Sequence, residues 1–328
     1  MKKLSYIYMV PAILMMAACS ENVADETAQG GDIQLCATVG ELHADSRAIA
    51  DPYLPQNETT LTADVWFRND GSGYDDSPSA PTYLPVHKTV TFEGTPMMAY
   101  VTHNSRPLKY PHDNSTVYCV GMYPASGWTA SADNATVTHA IDGETDLLFA
   151  PEISGSWASR FPTQQYVHLL TWIKINICAS SHEAIDAWGT INRITVNSDS
   201  EVAVNLMTGE YTYGGTEQHI ETMSESKKLS TATHEVGSVF CCPKTEYTVT
   251  VNYTDKHGDN LTKTVPLSLN LIDVENDDAV TDVTDESQAR GKCFVFSLYF
   301  TPYDVIEGVC TLNSWSDQSE DIYFNEEN

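Results

Sequence analysis

The chain holds the raw material of several chemistries: 45 acidic side chains, ten histidines and eight cysteines. Whether any of it is assembled into a reactive group is a question of spacing. A nucleophilic serine elbow would read GxSxG, a zinc-hydrolase helix HExxH, and a nucleotide site GxGxxG or a Walker loop; none of these occurs. No two histidines lie within four residues of one another, so no ligand spacing for a metal arises. His168 stands inside the apolar run YVHLLTWIKI, the setting of a hydrogen-bonded structural histidine. Carboxylates are so numerous that any pair could be proposed as acid and base, and the sequence singles none out. The acidic stretch 273–292 has oxygen ligands for a cation, yet it lacks the central glycine and ordered spacing of an EF-hand and reads as a solvated charge run. The expectation is a non-enzymatic protein with no cofactor and no metal. What remains for function is aromatic: Trp128 in PASGWTAS, Trp157 in GSWAS and Trp188 in DAWGT lie beside Gly and Ser in expected loops. There an indole can stack on a sugar ring or a partner protein, unless it folds back over the end of a β-sandwich.

One cysteine stands apart. Lys2 and Lys3 precede an uncharged segment, residues 4–18, that has the length of a signal-peptide core and is too short for a membrane span. Ala17 and Ala18 then lead into Cys19, and this ending resembles a bacterial lipobox, with Met16 where leucine is usual. Residues 1–18 are therefore expected to be a signal peptide and Cys19 the lipidated first residue of the exported protein. An ordinary secretory signal with a stray thiol is the alternative. Downstream, no segment reaches the roughly 20 apolar residues of a helical span.

Lys and Arg number 17 against 45 Asp and Glu, a net charge of −28, and loss of residues 1–18 removes two lysines and no acid. Such a surface repels phosphate, so nucleic acid is excluded as a partner. Seven cysteines follow Cys19, an odd number with no CxxC pair, and they alternate with core-type residues in strand-like runs. They read as small buried apolar side chains rather than as a disulfide framework.

The elements that must position all this are strands. Apolar residues recur with period two in short runs cut by Gly, Pro, Asn, Asp, Ser and Thr, the pattern of an all-β protein. DIQLCATVGEL sets Ile33, Leu35, Ala37 and Val39 on one face of a first strand; HKTVTF, STVYCVGMY, INRITVN, YTVTVNY and KCFVFSLYF are comparable. SHEAIDAWG, residues 181–189, is expected to make one or two helical turns from a serine cap. Two long loops are expected at 69–85 and 273–292. Placing the domain boundary near Asp186 gives residues 19–47 as a lipidated propeptide with the first strand, then two β domains, 48–185 and 186–328.

Several stretches taken in order resemble the fimbrillin family of Bacteroidales surface proteins. They are VYCVGMYPASGW, an aromatic strand ending in Tyr-Pro; TDLLFAPE; YVHLLTWIKINI; VNLMTGEY; and the closing FTPYDVIEGVCTLNSWSD. The resemblance implies two transthyretin-like Greek-key β-sandwich domains, exported as a lipoprotein to the outer membrane and built into a surface fimbria, the type V pilus. It implies cleavage by an Arg-specific protease, here between Arg47 and Ala48 in HADSRAIAD. It also implies assembly with other fimbrial subunits by strand exchange, with Ile33, Leu35, Ala37 and Val39 as donor-strand candidates in the groove that cleavage vacates. Burial of those four side chains is worth roughly 5 to 8 kcal/mol as an upper bound. Residues 308–315 and the tail to 328 are the other candidate, and the first choice, for the donated segment. Rival readings are a fimbrial tip or anchor component that keeps its lipid, and a surface glycan-binding lipoprotein that engages a host or bacterial ligand through its tryptophans.

Overall fold

The computed structural model describes residues 31–39, 60–69, 74, 87–103, 105–132, 134–223, 225–269, 283–303 and 305–313. The first half of the chain makes β1 (Gln34–Val39), β2 (Thr60–Asn69), β3 (His87–Glu93), β4 (Met97–Tyr100), β5 (Thr102–His103) and β6 (Arg106–Pro107). It continues with β7 (Val117–Tyr123), β8 (Thr129–Ala130), β9 (Thr136–Ala140), β10 (Leu148–Gly155) and β11 (Gln164–His168). The second half begins with β12 (Thr171–Ala179), α1 (His182–Trp188), β13 (Thr190–Asn205), β14 (Tyr211–Met223), β15 (Lys227–Lys228) and β16 (His234–Cys241). β17 (Glu246–Thr254), β18 (Asn260–Ser268), α2 (Glu286–Ala289), β19 (Cys293–Phe300) and β20 (Ile306–Asn313) complete it.

Seven strands, in the order β1-β11-β10-β7-β2-β3-β4, close into a barrel. Apart from the small hairpin β5-β6, the others form two layers, β16-β12-β19-β20 and β18-β17-β13-β9-β8, with β14 and β15 also paired to β13. The all-β expectation holds, and the period-two reading is carried by strands such as β17. Its Tyr247, Val249, Val251 and Tyr253 are buried while the residues between them are part-exposed or exposed.

Two features fall where local pattern does not reach. Hydrogen bonding passes from the barrel to the layered body between His168 and Thr171, whereas Asp186 lies inside α1. In addition β9, from the first half, pairs antiparallel with β13 from Thr136↔Asn205 to Ala140↔Glu201. The first half of the chain thus lends the β8-β9 hairpin to the layered body, and the chain passes between the two bodies three times, after β7, before β10 and between β11 and β12. Their cores also meet. β7 turns Val117 and Cys119 into the barrel and Val120 and Met122 into the core of the layered body, which is why its sequence shows no clean alternation.

The short helix follows its caps. Ser181 accepts a hydrogen bond from the Ala184 backbone N–H, and Gly189 ends the helix at φ 64. A side chain at Gly189 would also meet the Thr254 carbonyl oxygen at 2.3 Å. Within the expected second loop, Asp285 and Gln288 form a capping box that starts α2. Residues 270–282 of that loop lie outside the described residues, as does most of the first loop.

Candidate functional site

β1 closes the barrel, and its own residues explain how. Ile33 and Leu35 are fully buried, Ala37 is 1% and Val39 6% exposed, and all four sit in the barrel core with Phe92, Ala99 and Tyr166. Cys36, on the opposite face, is also buried. Residues Gln34 to Ala37 pair antiparallel with β4, and Ala37 to Val39 pair parallel with β11. β1 therefore splices two strands that have no ladder between them. Without it, β4 and β11 become open edges flanking an apolar groove.

The start of β1 is held separately. The Ile33 N–H donates to the Leu108 carbonyl at 2.7 Å, and the Tyr110 N–H donates to the Gly31 carbonyl at 3.1 Å. Arg160 donates from Nη1 to the Asp32 carbonyl at 3.0 Å while its guanidinium lies over the rings of Trp157 and Tyr110, at 4.8 and 5.5 Å. Tyr110 is itself fixed, since its hydroxyl accepts from the Phe161 N–H at 3.0 Å and its ring packs on Phe161. Burial pushes its phenol pKa up to about 12, so it stays neutral.

At the other end of β1, Gln164 and Tyr166 on β11 form the wall. Tyr166 crosses beneath Gly121 of β7 so closely that an added Cβ there would lie 2.1 Å from its hydroxyl oxygen. This gives the glycine of VYCVGMYP a physical role: it is the gap through which Tyr166 reaches Gln164, whose Oε1 accepts from the phenol at 3.4 Å. On the outer side of the same wall Arg68 grips Glu152 through two bonds of 2.7 Å, and Tyr74 donates to Glu152 at 2.8 Å.

Cys19, Arg47 and Ala48 lie outside the described residues. Of the other donor candidate, residues 308–313 belong to β20, an edge strand paired antiparallel with β19 along its whole length; residues 314–328 are outside the described set. Ile306 and Cys310 of β20 are buried, and Glu307 and Gly308 are exposed.

The three tryptophans separate. Trp188 is 1% exposed, packs between Tyr253 and Phe300, and donates its indole N–H to the Thr301 carbonyl at 2.7 Å. It has no free face, which corrects its reading as a stacking platform. Trp128 is half-buried, bonded to the Pro124 carbonyl and set edge-on to His139. Trp157 is 42% exposed at the start of β1. Sequence reasoning missed its partners Tyr110 and Arg160, although KYPHD and SWASRF both crowd an aromatic with a basic residue.

His168 is buried and bonded to Asp146 at 2.6 Å. All seven cysteines after Cys19 are buried and unbridged. Among the described residues no group of His, Cys, Asp and Glu has the geometry of a metal site, and no helix is long and apolar enough to cross a membrane.

No family model and no curated protein matches the chain. Among solved structures it resembles a candidate cell adhesion protein of Bacteroides uniformis, with 17% identity and a TM-score of 0.53 over 87% of this chain and 98% of that one. A candidate cell adhesion protein of Bacteroides ovatus matches with 14% identity and a TM-score of 0.49 over 86% and 96% of the two chains. The fimbrial anchor protein Mfa2 of Porphyromonas gingivalis matches with 10% identity and a TM-score of 0.39 over 86% and 98%. The barrel and layered body described above are thus the all-β fold that the B. uniformis protein also has.

Proposed function

We propose that this chain is a cell-surface structural and adhesive protein, a fimbrillin-like subunit without enzymatic activity that assembles through strand exchange. One observation carries the reading: the strand that closes the barrel, β1, lies on the segment that precedes Arg47. Cutting the chain after Arg47 leaves β1 held by hydrogen bonds and apolar contact alone. Its departure would open two edges and an apolar groove together, and a strand from a neighbouring copy would satisfy both. Because such contact runs head to tail, it propagates as a filament rather than closing as a dimer.

The neighbours accord with this reading, since they include proteins named for cell adhesion and one fimbrial anchor. Cys19 would tether the immature chain to the outer membrane, and loss of residues 19–47 would release the folded body from its lipid. A tip or anchor component would keep that lipid. The glycan-binding alternative retains one exposed indole, Trp157.

The test is intact-chain mass spectrometry of the mature protein taken from the native cell surface, followed by treatment of the full precursor with an Arg-specific protease. A start at Ala48, and detergent-resistant ladders appearing only after cleavage, are the expected results. A lipidated Cys19 on the surface form with no ladder would sink the subunit reading in favour of an anchor or a monomeric binding lipoprotein.

A further inference from the structure

The turn from β10 into β11, residues 156–163, reaches over the chain just ahead of β1, and its shape is fixed by its own hydrogen bonds. The Ser156 N–H donates to the Ser159 carbonyl at 2.6 Å, and the Ser159 N–H donates to the Ser156 Oγ at 3.2 Å. The Ala158 N–H donates to Asn114 Oδ1 at 2.8 Å. From this turn Trp157 and Arg160, both exposed, cover Gly31, which is buried. A Cβ placed on Gly31 would lie 2.7 Å or less from Cζ3 of Trp157 and from both Nη atoms of Arg160. The φ of Gly31 is outside the left-handed region, so backbone conformation does not call for glycine; the overlying side chains do.

Residues 31–33 are thus enclosed in a slot. Their backbone is paired with residues 101 and 108–110, through the Tyr110 N–H to the Gly31 carbonyl, the Ile33 N–H to the Leu108 carbonyl and the Val101 N–H to the Ile33 carbonyl. Arg160 closes the slot by donating to the Asp32 carbonyl while its guanidinium stacks on Trp157 and Tyr110. Among the described residues Arg160 has no carboxylate within ion-pair distance, so these contacts set its position. They differ in kind from the barrel core. Ile33, Leu35, Ala37 and Val39 come out only when the barrel opens, whereas Trp157 and Arg160 stand at the surface and can swing away with little apolar area newly exposed.

We propose that Trp157 and Arg160 form a clip that closes only over glycine: it must open before β1 leaves the barrel, and it discriminates against any incoming strand that carries a side chain at the position of Gly31. Such a strand would hold the clip open and forgo the guanidinium hydrogen bond and the stacking. This deepens the strand-exchange reading by naming what regulates exchange and which strands the groove accepts, and that meaning rests on the reading. The clip itself is a property of the intact chain.

Amide hydrogen exchange of the full exported chain reads the clip with no cleavage and no second copy. Arg160→Met and Gly31→Ala should each speed exchange at Ile33 and Tyr110 about ten-fold, and Trp157→Ala about three- to ten-fold. The amides of Ala37, Thr38 and Val39 should stay within about two-fold. Adding Arg160→Met to Gly31→Ala should contribute less than about two-fold more, because either change opens the same clip. Arg193→Met, which removes an exposed arginine of the layered body, should leave exchange at Ile33 within about two-fold. A second measurement places a protease site between β1 and β2, so that nothing depends on Arg47, and follows release of the β1 segment from the nicked chain. Release should quicken by the same factors. The proposal is overturned by wild-type exchange in Arg160→Met and Trp157→Ala, by additive effects in the double variant, by an equal effect of Arg193→Met, or by release that ignores the clip variants. A surface form that keeps Cys19 and makes no ladder would remove strand exchange and leave both of these measurements as they stand.

Discussion

The first and last described strands differ in what holds them. β1 is hydrogen-bonded on both sides and sends four side chains into a closed barrel, whereas β20 ends its sheet and has one neighbour, β19. Yet the two look alike by burial of a single reporter: Cys36 is 6% and Cys310 5% exposed. Solvent exposure in a static structure therefore does not rank the two strands by how easily they leave; the topology does. β1 is the harder strand to remove, and a cut in the chain is what would make its release practicable. β20 needs only to fray from an edge.

Truncation should give the largest measure of that difference. Leu35→Ala, in the barrel core, is expected to cost about 2 to 5 kcal/mol, and Leu312→Ala, half-buried on the edge strand, about 1 kcal/mol or less. Chemical denaturation of the two variants would read it, and equal costs would break the comparison. Next in size is the barrel wall against which β1 packs. Gly121→Ala should cost about 1 to 3 kcal/mol by driving a methyl into Tyr166, and Tyr166→Phe in the same chain should recover part of it, because the hydroxyl is the atom struck.

A third probe leaves the sequence unaltered. Alkylation of the two buried thiols followed by mass spectrometry should label Cys310 about 100-fold faster than Cys36, since one is reached by fraying and the other only when the barrel opens. Matching rates would mean that both strands open together.

Alkali gives the smallest effect and compares whole bodies rather than strands. Burial raises the Cys242 and Cys310 thiols to about 11 and 12 in the layered body, and raises Cys119 in the barrel. A thiol whose folded pKa lies above its unfolded value stabilises fully below pH about 9 and loses that contribution as pH rises toward the folded value, by up to about 1.4 kcal/mol per pH unit. Between about pH 9 and 10, before tyrosines contribute, urea midpoints should fall and the layered body should loosen first. Cys310→Ala should flatten that fall. A profile level across this window would show that the thiols are not held neutral by the fold.

Much of this was legible in the sequence wherever the deciding contact is local. Ile33, Leu35, Ala37 and Val39 share a face because a strand repeats every two residues, and Ser181 and Gly189 bracket α1 because caps act within one turn. The tryptophans were not separable in this way. Gly and Ser flank all three, and what buries Trp188 is Tyr253 and Phe300, far along the chain. The parallel pairing of β1 with β11 and the crossing of β9 into the layered body's sheet are likewise products of distant segments meeting, which no short window encodes. α2 lay in a stretch read as loop because its four residues are too few to show a helical period, although Asp285 and Gln288 have capping-box spacing.

The crossing of β9 has a mechanical consequence. A two-body molecule joined only through residues 169–170 would swing about that point like a flail. Here the chain passes between the bodies three times, with the β8-β9 hairpin entered from β7, left toward β10 and pinned to β13 at five paired positions, and rotation of one body on the other must peel the barrel wall from the neighbouring core. The molecule is accordingly a stiff strut. In a row of such struts under flow, compliance would reside at the junctions between copies, and tension would reach those junctions with little of it absorbed along the way.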